Sequence, residues 1–121
     1  MPTERTIMPY IVTRTNAEIT PEISEKLKAK IGTAITEIPG KSESWLMVEN
    51  VGGCDLYFKG KNDSVIVYAE VKIYGGARGS DYNNLTSALT DIYSELLGAA
   101  PDKVYVKYEE TSHWGWNGSN F

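Results

Sequence analysis

The stretch MPYIVTRTNAEITPEISEKLKAKI, residues 8–31, sets a strand directly against a helix. Tyr10, Ile11, Val12 and Thr13 are aromatic or β-branched, so residues 10–15 read as a strand. Asn16 and Ala17 break it, and Asn16 is the residue type that satisfies backbone groups in a turn. Thr20 offers a hydroxyl N-cap, Pro21 the first helical position, and Glu22 a negative charge in the first turn. Ile23, Leu27, Ile31, Ala34, Ile35 and Ile38 recur at spacings of three and four, which makes one apolar stripe. Lys26, Lys28 and Lys30 fall on the solvent side. Pro39-Gly40 ends the helix.

Working outward, residues 44–50 (SWLMVEN) read as a second strand and Leu56-Tyr57-Phe58 as a short extended piece. Residues 65–74 (VIVYAEVKIY) are the most apolar strand, expected at the centre of a sheet. Ser80 or Asp81 can cap a second helix whose stripe is Leu85, Ala88, Leu89, Ile92 and Leu96, stopped at Gly98. A last strand spans residues 104–108. The order is strand, helix, strand, strand, strand, helix, strand. It folds as two βαβ-like halves, an α+β arrangement with both helices on one face of a four-stranded sheet, because crossovers are right-handed. The halves share negligible sequence, so the repeat is architectural. The other sheet face is left uncovered. Its aromatic and apolar strands point to burial against identical subunits.

With 121 residues, 41% hydrophobic and 23% charged, the chain is one ordinary globular domain. Residues 1–7 are polar, lack periodicity and read as an extension, leaving residues 8–121 as the domain. A net charge of −4 from 12 basic and 16 acidic residues argues against nucleic acid as partner. No apolar run approaches the ~20 residues of a membrane span, and no signal-like apolar segment follows the N-terminus, which points to the cytoplasm. Cys54 is the sole cysteine and His113 the sole histidine. Cys54 reads as a small buried or half-buried residue. No metal site, Cys-x-x-Cys motif, Ser-His-Asp triad or cofactor is expected.

Four features suggest chemistry together: Pro9 directly before the first strand, Lys41 at a helix-to-strand junction, Tyr105 in the last long strand, and an aromatic tail with Trp114, Trp116 and Phe121. Taken singly, each has a plainer reading. Pro9 is tolerated at a strand edge, Lys41 is a solvated turn residue, Tyr105 packs between Val104 and Val106, and the tryptophans form interface core. The chemistry of the set is distinctive, however. An α-amino group titrates at roughly 7.7–8.0, and a nearby cation with partial burial lowers that value further. A free N-terminal proline is then a neutral amine near pH 7, able to remove a proton α to a carbonyl. Inside a peptide bond the same nitrogen is an amide and does none of this. Met-Pro occurs twice, at Met1-Pro2 and Met8-Pro9. Use of Pro2 as the amine would require seven extra residues to fold back and be ordered, at ~1–2 kcal/mol each.

MPYIVTRTN at 8–16, Gly40-Lys41, the Phe58-x-Gly60 turn, Gly75-Gly76-Ala77, PDKVYVKY at 101–108 and GWNGSNF at 115–121 together resemble the macrophage migration inhibitory factor family of the tautomerase superfamily. The resemblance implies a homotrimer of βαββαβ subunits and keto–enol tautomerase activity on phenylpyruvate-like aromatic 2-keto acids and a dopachrome derivative. It assigns Pro9 as the base once Met8 is lost and Lys41 as the carboxylate anchor that also lowers the proline pKa. Val71 stands where main chain contacts substrate. Tyr105 comes from a neighbouring subunit, and Trp114, Trp116 and Phe121 form an apolar wall. Lys107 replaces a common Asn and adds a cation to the pocket. Ile66 and Asp63 occupy the positions of the family's Cys-x-x-Cys, so thiol redox activity is not implied. The resemblance also implies release from cells without a signal peptide and a cell-surface receptor, which supports a second reading: a non-catalytic signalling trimer in which residues 1–7 block Pro9.

Overall fold

The computed structural model describes residues 8–120. The expected extension at residues 1–7 and the wall role of Phe121 lie outside the described residues. The chain runs β1 (Pro9–Thr15), α1 (Pro21–Ala34), β2 (Met47–Val51), β3 (Val67–Tyr74), α2 (Gly79–Leu97), β4 (Val104–Thr111), β5 (Gly115–Trp116) and β6 (Ser119–Asn120). The main sheet has the order β2-β1-β3-β4. β1 pairs with β2 in parallel and β3 with β4 in parallel, while β1 and β3 run antiparallel. Each half is therefore a βαβ unit, and the two join along β1 and β3, as the sequence suggests.

Local chemistry explains the elements. The Thr20 hydroxyl accepts from Ile23 N at 3.2 Å, capping α1 in front of Pro21. Asn16 clamps the turn after β1 to the start of β3: its Oδ1 accepts from Ile66 N at 2.8 Å and its Nδ2 donates to Ser64 O at 2.9 Å. Gly98 closes α2 in the left-handed region, with φ 76°. Leu27, Ile31, Ala34, Ile35 and Ile38 from the first stripe meet Leu85, Leu89, Ile92 and Tyr93 from α2 over Ile11, Val67, Ala69, Val71 and Ile73 of the sheet. Each such side chain, fully buried, contributes ~1.5–3 kcal/mol.

Several sequence expectations shift. α1 stops at Ala34, and residues Ile35–Glu37 continue as a 3-10 turn that still buries Ile35. Ser44 and Trp45 are not strand. They lie in a 3-10 turn, Glu43–Trp45, closed by Leu46 N donating to Glu43 O at 3.1 Å. That turn packs on α1 where it lacks a side chain, since a Cβ on Gly32 would sit 2.6 Å from the Glu43 carboxylate. Leu56-Tyr57-Phe58 forms no strand, and among the described residues its only ladder contact is Phe58 with Lys61. Three residues between two glycine turns make too few cross-strand bonds to extend a sheet. Asp81 does not cap α2 from the N-cap position, which Arg78 holds. It reaches back from the first turn, accepting from Arg78 N at 3.2 Å and pairing with the guanidinium.

The face without helices also differs from its expected apolar character. It carries tyrosines and alternating charges: Tyr10 donates to Glu49, Tyr68 donates to Glu70 at 2.7 Å, and Lys72 pairs with Glu70 and Glu109 at 3.8 and 3.6 Å. Lys107 pairs with Glu109 at 3.3 Å and holds its carboxyl below the usual range. Its largest exposed apolar groups are Met47 and Tyr105.

Thr13 and Tyr93 tie sheet to helix through a buried hydroxyl pair at 2.6 Å, and burial pushes the Tyr93 phenol up to about 12. Tyr93→Phe removes one partner and strands the Thr13 hydroxyl. It is expected to lower unfolding free energy by ~1–3 kcal/mol in urea titration, while Thr13→Val combined with Tyr93→Phe loses less than the single variant.

Candidate active site

Pro9 is the first residue of an inner strand, where a missing N–H interrupts no established ladder. It is buried, as is Met8 before it, which is 4% exposed. Lys41 follows the Pro39-Gly40 turn, with its backbone N–H fixed to Ile38 O at 3.1 Å and its side chain only 5% exposed. No carboxylate pairs with its ammonium, and no hydrogen bond holds it, among the described residues. Burial alone pushes its pKa below the usual lysine value of 10.5. Packing of the lysine stem disfavours the charged form of its ammonium, and titratable groups perturbed in this way cluster at functional sites.

The aromatic tail frames the same end of the sheet. Asn117 and Gly118, with φ 56° and 89°, turn β5 into β6, and the hairpin presents Trp116. The Trp116 ring meets Trp45 edge-on at 4.9 Å. Trp114 lines a cavity of about 530 Å³ with Tyr10, Met47, Lys72, Glu109, Glu110 and Thr111. Tyr10 follows Pro9 directly, so this cavity adjoins the start of β1. Neither Pro9 nor Lys41 lines it. Within one subunit the proline is covered, and its nitrogen is acylated by Met8.

The other expected site residues lie elsewhere. The Val71 side chain is wholly buried in β3, so only its main chain is available to a ligand. Tyr105 pairs with Tyr68 while Pro9 pairs with Ile73, five residues further along β3. At ~3.3 Å per residue that is ~17 Å, and Tyr105 faces the open side of the sheet, 61% exposed. Lys107 pairs with Glu70 on the same side. The chain therefore brings Pro9, Lys41, Trp114 and Trp116 to one end, with Lys107 ~10 Å and Tyr105 ~17 Å from the Pro9 row along β3. Sequence reasoning missed Trp45, Tyr10 and Met47 as neighbours of the site. The signal for Trp45 was its place four residues after Lys41, and Asn117-Gly118 was a readable hairpin turn.

A proline-led βαββαβ chain with two helices on one sheet face is the architecture of the tautomerase superfamily. The profile of the macrophage migration inhibitory factor (MIF) family matches residues 8–121, and the chain belongs to that family. It is 28% identical over 118 residues to the macrophage migration inhibitory factor of Mus musculus, spanning 94% of this chain and 99% of that protein. Among solved structures, Leishmania major MIF2 superposes with a TM-score of 0.88 at 26% identity, covering 96% of this chain and 99% of that one. Pt0534 inactivated by 2-oxo-3-pentynoate superposes with a TM-score of 0.76 at 18% identity, covering 91% of this chain and 93% of that one.

The Lys41 environment makes a stability prediction. The native state sheds the Lys41 proton at lower pH than the unfolded chain does, so stability rises as pH increases between the two values. Lys41→Met removes a buried charge. It is expected to raise unfolding free energy by ~1 kcal/mol at pH 7 and to flatten that alkaline rise, as measured by denaturant titration across pH.

Proposed function

We propose that this protein is a keto–enol tautomerase of aromatic 2-keto acids, of the phenylpyruvate and dopachrome type, working through Pro9 freed from Met8. The carrying observation is Lys41, a residue 5% exposed whose ammonium has no ion pair or hydrogen bond among the described residues, at the same end of the sheet as a proline opening an inner strand. The substrate carboxylate pairs with Lys41, which supplies the missing counter-charge. The freed Pro9 amine, its pKa lowered by burial and by the Lys41 cation, takes a proton from the carbon next to the carbonyl. The enolate so formed takes that proton back on its oxygen, which gives the enol and restores the neutral amine. Trp114 and Trp116, with Trp45 behind them, hold the ring and exclude water. Val71 offers main chain only. Tyr105 joins from a second copy in a homotrimer, a reading supported by its ~17 Å separation from Pro9 along β3 within one chain, and Lys107 adds a cation to the pocket. Phe121 completes the wall. The inactivator named for Pt0534, 2-oxo-3-pentynoate, is itself a 2-keto acid, which supports the substrate class.

A second reading follows from Met8. While that residue stays in place, buried against the start of β1, Pro9 is an amide and the protein is a non-catalytic trimer for a cell-surface receptor, released from the cytoplasm without a signal peptide. Intact mass of native material separates the two readings: retention of residues 1–8 selects the second.

Protein beginning at Pro9 is expected to enolise phenylpyruvate, with Pro9→Gly lowering kcat/KM by at least ~100-fold. Lys41→Met is expected to raise KM more than it lowers kcat and to shift the acidic limb of the pH–rate profile upward, because the Pro9 amine loses a neighbouring cation. Equal activity for protein beginning at Pro9 and its Pro9→Gly variant would falsify the assignment.

A further inference from the structure

At the opposite end of β3 lies a pocket whose lysines the tautomerase reading does not use, although its Phe58 ring touches the Tyr105 that reading lends to a second copy. It holds about 400 Å³ and is lined by Phe58, Lys59, Lys61, Asp63, Ser64 and Lys103. Lys103 precedes Val104, which pairs with Val67, six residues along β3 from the partner of Pro9. Within one subunit this is a separate place, ~20 Å away.

Three ammonium groups meet one carboxylate here, on a chain whose net charge is −4. None of the three lysines is ion-paired among the described residues. Lys103 donates to the Ser64 hydroxyl at 2.8 Å, which holds both groups at the pocket. Lys59 sits at 5.7 Å from the centre of the Phe58 ring, a cation–π distance. The backbone places it there against its own preference. Phe58 and Lys61 exchange both backbone hydrogen bonds, at 2.8 and 3.0 Å, and the two residues between them, Lys59 and Gly60, have φ 54° and 77°. That is the type I′ pattern, which favours Asn, Asp or Gly at the Lys59 position. A lysine in the left-handed region is a local violation of the kind found at functional sites.

We infer that this pocket binds a phosphate monoester. The ester's three acceptor oxygens and near-dianionic charge match three lysines and a hydroxyl, and its organic part lies on Phe58, which Tyr105 backs edge-on at 5.4 Å. The Asp63 carboxylate on the rim disfavours larger polyanions.

The test is calorimetric titration of the full chain at low ionic strength and pH 7.5 with phenyl phosphate, inorganic phosphate and phenyl sulfate. Phenyl phosphate is expected to bind most tightly, inorganic phosphate to lose the ring contribution, and phenyl sulfate to lose one charge. The Lys59→Gln, Lys61→Gln, Lys103→Gln triple variant is expected to weaken phenyl phosphate at least tenfold, the exposed single Lys61→Gln variant less. Lys41→Ala is expected to leave it unchanged, which separates this pocket from the tautomerase site. Lys59→Gly relieves the backbone and is expected to raise the thermal midpoint while weakening binding several-fold, a split that an idle surface lysine would not show. Undiminished binding in the triple variant, loss of binding in Lys41→Ala, tighter binding of phenyl sulfate, or no binding of any of the three overturns the inference.

Discussion

Everything in this molecule hangs on the antiparallel pairing of β1 with β3. Each βαβ half contributes one helix and two parallel strands, and neither half encloses a core alone. The seven paired positions from Pro9–Ile73 to Thr15–Val67 align the two halves. That alignment sets Ile11 beside Val71 under both helices and brings α1 against α2. Asn16 fixes the register by bonding the start of β3 from the end of β1. A slip of one residue would turn Ile11 and Val71 to solvent and move Pro9 off its row. The geometry of the reactive end is thus decided by a turn residue and a backbone ladder seven residues away.

Much of this was legible because it is local. Thr20-Pro21 and Gly98 mark helix ends by chemistry that acts within a few residues, and the apolar stripes report their own burial. What escaped is set by competition. Trp45 has strand propensity, yet local 3-10 hydrogen bonds and the vacancy beside Gly32 hold it in a turn. Leu56-Tyr57-Phe58 has strand residues but no room to pair. The open face looked apolar because Val, Ile and Tyr alternate with charges whose facing is fixed only by register. The proposed site draws on Pro9, Lys41, Trp114 and Trp116, all of which the sequence singles out, but no sequence spacing could show that Tyr105 lies far from Pro9 within one chain.

The open face has an electrostatic character that follows from that register. Glu70 and Lys72 of β3 sit beside Lys107 and Glu109 of β4, so opposite charges meet across the strands. The exposed cations and anions screen one another, and a second copy placed there meets a nearly neutral, hydrogen-bonding surface. Such a face associates through geometry and polar complementarity rather than through bulk hydrophobicity.

On the proposed reading, Lys41, whose ammonium has no partner among the described residues, makes the folded protein an indicator of its own occupancy. Without an anion, burial of that charge weighs against the native state. On the proposed reading, a carboxylate that pairs with it stabilises the native state by about 2.7 kcal/mol at a hundred times Kd, a figure that already includes relief of that penalty. Melting temperature therefore reports ligand chemistry even when no turnover occurs. A library of organic acids could be ranked by heat alone, and the same response would persist in chains whose Pro9 is still acylated, wherever the anion can reach Lys41.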